Sequence, residues 1–158
     1  MAGVHDLSAL MRNVNRLVYE ASTSNRYATF FYGEHDPATG RFCYVNAGHN
    51  APALFRGSET IRLEAGGPVV GLFPETCYEQ QECHLMPGDI LLAFTDDVSE
   101  AMNEDDEEWD EDRFFAAARA CASKCASDMI QEIFRAADAF TGTAEQHDDM
   151  TLLIVKVE

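Results

Sequence analysis

Apolar residues first recur with a helical period. Leu7, Leu10, Met11, Val14, Leu17 and Val18 line one stripe of a helix over 7–21, and Asp6 is placed to cap it. The period then changes. Tyr27-Ala-Thr-Phe-Phe-Tyr-Gly is rich in strand formers, and Asp36-Pro-Ala-Thr-Gly40 reads as a turn in which Pro sets φ and Gly supplies a positive φ. Arg41 to Ala47 returns as a second strand, which makes 27–47 a hairpin. Gly48-His49-Asn50 breaks that strand. Short strands are expected at 51–56 and 60–64, a loop at Gly66-Gly67-Pro68, and a further strand at 77–85.

Pro87-Gly88 then opens the run Asp89-Ile-Leu-Leu-Ala-Phe-Thr95, almost wholly apolar, as in a central strand buried on both faces. After an acidic segment at 104–112, the pattern predicts helices near 112–122 and 128–140. The second carries Ile130, Ile133, Phe134, Ala137 and Phe140 on one side, with Ser127 or Asp128 as its cap. Residues 150–157 alternate as a last strand. Helix, antiparallel strands, helices, strand is an α+β order, with helices packed on sheet.

The chain has 158 residues, of which 46% are apolar, and this suggests one domain with a substantial core. Charge narrows its partners. The 28 acids against 11 Lys and Arg give a net charge of −17, which repels nucleic acid and anionic membrane surfaces and suits a divalent cation. No apolar run is long enough to cross a bilayer, and MAGVHDLSAL carries no signal-peptide pattern. The five scattered cysteines, an odd number, read as reduced thiols, so a cytoplasmic location is expected.

Two acidic pairs are the main chemical candidates. Asp96-Asp97 follows the apolar run, and Asp148-Asp149 precedes the last strand. An acid at the end of a buried strand is costly unless paired or bound to metal. If the two strands are neighbours, the pairs converge on one point, a plausible hard-cation site. The plainer alternative is strand-end and turn acids in a very acidic chain.

The segment PGDILLAFTDDVSEAMNEDDEEWDEDRF resembles the SpoIIE-type phosphatase pattern of PGD, apolar run, TDG-x-x-EA, polar stretch and helix. HDDMTLLIVKVE resembles that family's closing DD-[IM]-T strand, and YATFFYGEHDPATGRFCYVNAGHNAPALFR its hairpin and AGH motif; GPVVGLF also fits. The matches keep the family's order and spacing across nearly the whole of 1–158. The family belongs to the PPM superfamily of metal-dependent serine/threonine phosphatases. The resemblance implies a sandwich of two antiparallel sheets flanked by helices, with two Mn²⁺ or Mg²⁺ ions at one end. It makes Asp96 the aspartate of the TDG motif, Asp148 that of the DD motif, and Asp149 its neighbour in the site. The reaction implied is metal-assisted hydrolysis of a phosphoserine or phosphothreonine by an activated water.

Two departures stand out. The TDG glycine is Asp97 here. Nothing in MAGVHDLSALMRN matches the GD-x-x-D strand and DVSG-type hairpin that the family carries upstream. The sequence thus reads as the C-terminal three-quarters of such a domain, lacking the first strands and part of the metal site.

Other candidates are less specific. His49 in AGHN either faces phosphate and donates a proton or is a turn histidine bonding locally. His147 reads as exposed. The run 104–112 reads as a solvated loop and helix start rather than an EF-hand loop. Cys121, Cys125, Cys83 and His84 lack zinc-ligand spacing. The resemblance implies a phosphorylated protein as substrate, such as a STAS-domain anti-anti-sigma factor. The alternative function is a catalytically inactive PPM-like module that binds a partner. A homodimer is expected, with an exchanged helix at 7–21 as one form, because absent strands leave a sheet edge and apolar surface open.

Overall fold

The computed structural model describes residues 6–22, 26–144 and 149–158. In chain order the elements are α1 (Leu7–Ala21), β1 (Phe30–Asp36), β2 (Arg41–Ala47), β3 (Ala53–Arg56), β4 (Glu59–Arg62), β5 (Gly66–Gly67), β6 (Gln81–His84), β7 (Ile90–Phe94), a 3-10 turn (Asp96–Val98), α2 (Asp110–Ala120), α3 (Ala126–Thr141) and β8 (Leu152–Lys156). Contacts group the chain into two compact units. One is Met1–Ala51 with Arg62–Met86, the other Pro52–Ile61 with Pro87–Glu158. Each contains strands of one four-stranded sheet together with helix, which meets the α+β expectation.

In the first unit, α1 packs on β2. A helix leaves its first N–H groups without partners, and three are satisfied here. Asp6 accepts from Ala9 at 2.8 Å, as its position predicted, and the Gln80 side chain accepts from Leu7 at 2.8 Å and Ser8 at 3.3 Å. Leu7 and Met11 are buried against Cys43, Val45 and Ala47, with Val14 and Val18 half-buried beside them. The other edge of the predicted stripe stays out: Leu10 is 40% and Leu17 61% exposed. Asn15 takes the place next to Met11. Its buried amide accepts from Gly71 N–H at 2.8 Å and donates to Phe73 O at 2.9 Å, so the polar group is satisfied.

β1 and β2 form the expected hairpin, with Asp36 opposite Arg41. Pairing begins at Phe30 rather than Tyr27, since Ala28 makes an isolated bridge with Val70 instead. The turn closes through Asp36, whose carboxylate accepts from the Thr39 hydroxyl at 2.9 Å and Ala38 N–H at 3.0 Å. Those bonds, the Thr39 hydroxyl foremost, hold its carboxyl below the usual range. Gly40 supplies the positive φ, +72°.

The sequence reading of 66–68 as a loop needs correction. Gly66 and Gly67 pair in parallel with Asn46 and Ala47 of β2. A Cβ on Gly66 would sit 1.5 Å from the Asn46 carbonyl oxygen, so only glycine lets the backbones approach this closely. The strand expected at 77–85 contracts to Gln81–His84, because Tyr78 turns into the core and Glu79 N–H bonds Gly66 O at 3.0 Å.

The second unit holds the sheet ordered β4-β3-β7-β8. β7 is the buried central strand that its composition predicted: Ile90, Leu91, Leu92 and Phe94 are all buried. Ile90, Leu92 and Phe94 face α2 and α3, packing with Phe114, Ala118, Met129, Ile133 and Ala137. The rings of Phe94 and Phe114 meet edge-on at 4.7 Å. Polar staples tie the connections down. Arg119 donates to Gly57 O at 2.8 Å and Thr60 Oγ1 at 2.7 Å, and its guanidinium lies 4.1 Å over the Phe55 ring. Lys156 donates to Ala122 O at 2.7 Å, just past the end of α2. The cap expected at Ser127 or Asp128 is instead Cys125, without a side-chain bond to the helix; Asp128 lies in the first turn, where its charge suits the dipole.

The PGD aspartate is structural. Asp89 is 2% exposed and takes a two-point contact from Arg56, Nε to Oδ1 at 3.1 Å and Nη2 to Oδ2 at 2.6 Å. Its carbonyl accepts from Val157 at 2.9 Å, which fixes the start of β7 against the end of β8. Asp89→Ala strands a half-buried guanidinium and is expected to cost about 2–3 kcal/mol in urea unfolding. The double change Arg56→Met with Asp89→Leu is expected to cost less than the single one. A loss near zero for Asp89→Ala would show that the pair contributes nothing.

Candidate functional site

The two strands that carry the acidic pairs are neighbours. β7 and β8 run antiparallel, with Phe94 opposite Leu152 and Ile90 opposite Lys156. The C-terminal end of β7 therefore meets the N-terminal end of β8. Asp96 is the second residue past β7 and Asp149 the third before β8, so both emerge at one end of the sheet.

Thr95 closes that end. Its N–H donates to Thr151 O at 3.1 Å. In a continuing ladder its carbonyl would accept in return, but that carbonyl is taken by Val98 N–H at 3.1 Å as the chain enters the 3-10 turn. The Thr95 hydroxyl substitutes, accepting from Thr151 N–H at 3.0 Å, and it also lies 3.5 Å from Asp149 O. One side chain thus pins the backbone beside both aspartates.

The turn that presents Asp96 is itself anchored. Val98 is fully buried in the helix-facing core. The Asp96 carbonyl accepts from Ser99 N–H at 2.9 Å, Glu100 N–H at 3.0 Å and the Ser99 hydroxyl at 3.0 Å. This leaves the Asp96 carboxylate exposed on a fixed backbone. Asp97, where the family pattern has glycine, is accommodated: among the described non-glycine residues, positive φ occurs only at Asp106 and Asp110. The turn makes no demand at 97 that glycine alone could meet.

The acidic run folds into a defined loop. Trp109 N–H bonds Ala101 O at 2.8 Å and Asp110 N–H bonds Ser99 O at 2.8 Å, so the loop returns directly behind the Asp96 turn. Asn103 braces it, accepting from Asp105 at 3.0 Å and Glu107 at 2.9 Å. Trp109, the one non-acid in the run, is buried. Asp110 accepts from Arg113 N–H at 2.8 Å and starts α2. Glu104 reaches across to Thr143, accepting from its hydroxyl and, at 3.3 Å, from its N–H. The hydroxyl bond, then the N–H, holds the Glu104 carboxyl below the usual range.

His49 belongs to the first unit, whereas Asp96 and Asp149 belong to the second. Its backbone is clamped by buried Asn46, which accepts from His49 N–H at 2.8 Å and donates to His49 O at 2.9 Å. Its Nδ1 lies 3.2 Å from the Thr29 hydroxyl. Asp148 and His147 fall outside the described residues. Among the described residues, no three His, Cys, Asp or Glu side chains gather closely enough to hold a metal. All five cysteines are free, and burial pushes the Cys43 and Cys121 thiols up. Asp96 and Asp149 fit a hard divalent cation in kind, as carboxylate oxygens at a shared sheet end. Sequence reading missed Thr95, Asn46 and Glu104. The threonines of TDD and DDMT were the available signal for the first.

Solved structures share this architecture. The SiaA-PP2C domain of Pseudomonas aeruginosa superposes with a TM-score of 0.83 at 17% identity, over 96% of this chain and 61% of that one. The PP2C phosphatase domain of SpoIIE from Bacillus subtilis, solved with a fragment of its regulatory domain, gives 0.78 at 17% identity, over 99% and 45%. The fold is that of PPM-type protein serine/threonine phosphatase domains. Residues 2–158 match the family Stage II sporulation protein E (SpoIIE), and the chain belongs to that family. Phosphoserine phosphatase RsbU of Bacillus subtilis is 28% identical over 160 residues, covering 98% of this chain and 46% of RsbU. Protein IcfG of Synechocystis is 28% identical over 154 residues, covering 96% and 24%. The chain thus spans less than half the length of either relative.

Thr95→Val keeps the shape and removes the hydroxyl that closes the site end. It is expected to lower stability by about 1 kcal/mol, one net hydrogen bond, and to speed amide exchange at Thr151 while exchange at Leu92 is unchanged. Unaltered exchange at Thr151 would count against the closure.

Proposed function

We propose that this chain is one SpoIIE-type domain over 1–158 that hydrolyses phosphoserine or phosphothreonine on a regulatory protein, with Mn²⁺ or Mg²⁺ as cofactor. The observation that carries the reading is the antiparallel β7–β8 pair, which brings Asp96 and Asp149 to one sheet end under the Thr95 clamp. Family membership and the similarity to a phosphoserine phosphatase support the same chemistry. Asp96 and Asp149, with Asp148 from the sequence motif, are the proposed metal ligands. When bound, the divalent ions supply an activated water and offset charge on the phosphoryl oxygens.

The chain's own residues hold the site in place. The 3-10 turn fixes the Asp96 backbone, and Thr95 fixes that of Asp149. His49 enters as a candidate phosphate-facing or proton-donating group. The competing reading of His49, a turn histidine held by Asn46 and Thr29, has the observed contacts.

A STAS-domain anti-anti-sigma factor is the proposed substrate class. We also propose a cytoplasmic location; no helix among the described residues is long and apolar enough to cross a membrane. A homodimer is kept as a proposal. Exposed Leu10 and Leu17 on α1 support it, as does β8, which among the described strands pairs only with β7. The alternative function is an inactive PPM-like partner-binding module. Asp97, which stands where the family pattern has glycine, is the sequence feature that favours it.

Hydrolysis of p-nitrophenyl phosphate and of a phosphoserine peptide, with and without Mn²⁺, decides between them. The phosphatase reading predicts Mn²⁺-dependent turnover that Asp96→Asn lowers roughly 10²–10³-fold, the scale of several kcal/mol of lost charge stabilisation. Turnover absent with Mn²⁺ supports the inactive module; Mn²⁺-dependent turnover unchanged in Asp96→Asn keeps the phosphatase and refutes Asp96 as a ligand.

A further inference from the structure

β8 stands at the edge of its sheet. Thr95 N–H donates to Thr151 O at 3.1 Å and Val157 N–H donates to Asp89 O at 2.9 Å, which fixes the phase of the β7–β8 ladder. The odd-numbered residues of β8 therefore bond β7, and Leu152, Ile154 and Lys156 turn their N–H and C=O groups outward. Among the described strands, β8 pairs with β7 alone. We propose that this edge is an interface between two copies of the chain, in which β8 pairs antiparallel with β8 of the partner subunit about a two-fold axis at Ile154. The inference rests on the homodimer proposed above and names its surface.

Three observations carry it. First, the edge lacks the usual protection. Sheet edges are blunted by charged side chains, lysine above all. Lys156 is the only charged residue in 150–157, and its ammonium is turned onto the Ala122 and Lys124 carbonyls past the end of α2. Second, the strand is complementary to itself. Leu153 is 57% and Val155 40% exposed. They lie on the face opposite Ile154, which packs into the helix-facing core. Pairing about Ile154 sets Leu153 against Val155 of the partner subunit, and Val155 against Leu153 of the partner subunit. Both are non-hydrogen-bonded pairs, where side chains approach most closely. The outward N–H and C=O groups of Leu152, Ile154 and Lys156 find partners in the same register. A two-fold contact of this kind is closed, so it ends at the dimer. Third, charge selects this edge. The net charge is −17, and acids stand on the other edge strands: Glu34 and Asp36 on β1, Glu59 on β4 and Glu82 on β6. Like charges set opposite each other oppose strand pairing. Within 150–157 the proposed register sets no acid against another.

Sedimentation of the 158-residue chain over a range of concentrations, together with amide exchange, tests the pairing. The parent is expected to dimerise. As concentration rises through the association, exchange is expected to slow at Leu152, Ile154 and Lys156 and to change little at Leu153 and Val155, which already bond β7. Leu153→Lys with Val155→Lys sets lysine against lysine in both cross-strand pairs and weakens dimerisation roughly 30-fold. Leu153→Lys with Val155→Glu sets opposite charges together in that register and restores most of the affinity. Both positions are exposed, and urea unfolding checks that each variant still folds. Leu10→Lys with Leu17→Lys, on α1, is expected to leave the dimer intact. If that α1 variant is monomeric while Leu153→Lys with Val155→Lys dimerises as the parent does, the homodimer stands and the β8 surface is overturned. If the Val155→Glu form associates no better than the Val155→Lys form, the register about Ile154 is overturned. A parent that is monomeric at every concentration overturns the pairing and the homodimer together, and leaves this edge to a strand of another protein.

Discussion

The pairing of β7 with β8 is the constraint on which the candidate site depends. β7 is buried because Ile90, Leu92 and Phe94 fill the space under α2 and α3, and that burial sets its register. Antiparallel pairing then decides what meets at each end. At one end, Asp89 and Val157 are tied through the backbone and Asp89 is neutralised by Arg56. At the other, Asp96 follows β7 and Asp149 precedes β8, so two acids emerge at the same sheet end. A one-residue slip would turn Phe94 out of the core, so the hydrophobic core indirectly holds Asp96 opposite the Asp149 segment.

The two aspartates at the ends of one strand show how the same residue type serves different roles. Asp89 is 2% exposed, and a buried carboxylate is tolerable only with a partner, which Arg56 provides. Asp96 is exposed and held by its backbone, which leaves the carboxylate oxygens available. Burial, rather than residue identity, separates the structural acid from the candidate ligand. The same distinction runs through the acidic loop. Its shape comes from Asn103, which precedes it, and from Trp109, its one non-acidic member.

Local patterns made most of the fold legible. The α1 stripe, the Asp36–Gly40 turn and the apolar run of β7 each depend on residues close in sequence, and each formed where its period or turn chemistry placed it. What escaped depends on distance in sequence. β5 exists because two glycines admit a backbone approach, which composition alone does not reveal. Gln80 caps a helix 73 positions away, and Asn15 secures a loop 56 positions away. The shared sheet end of Asp96 and Asp149 was legible from strand order and motif together. Thr95 was not, since its hydroxyl matters only because the 3-10 turn diverts its carbonyl. Sequence patterning also treated Leu10 and Leu17 as core, whereas β2 offers a face only wide enough for Leu7, Met11 and their half-buried neighbours.

The central claim is that a divalent cation is held where the ends of β7 and β8 meet. Paramagnetic broadening of amide resonances by substoichiometric Mn²⁺ reads this directly, since the effect falls steeply with distance from the ion. Broadening is predicted to begin together at residues 96–99 and 149–151, while resonances at 104–108 stay sharper. Selective broadening of 104–108, with the β7 and β8 ends unaffected, would contradict it.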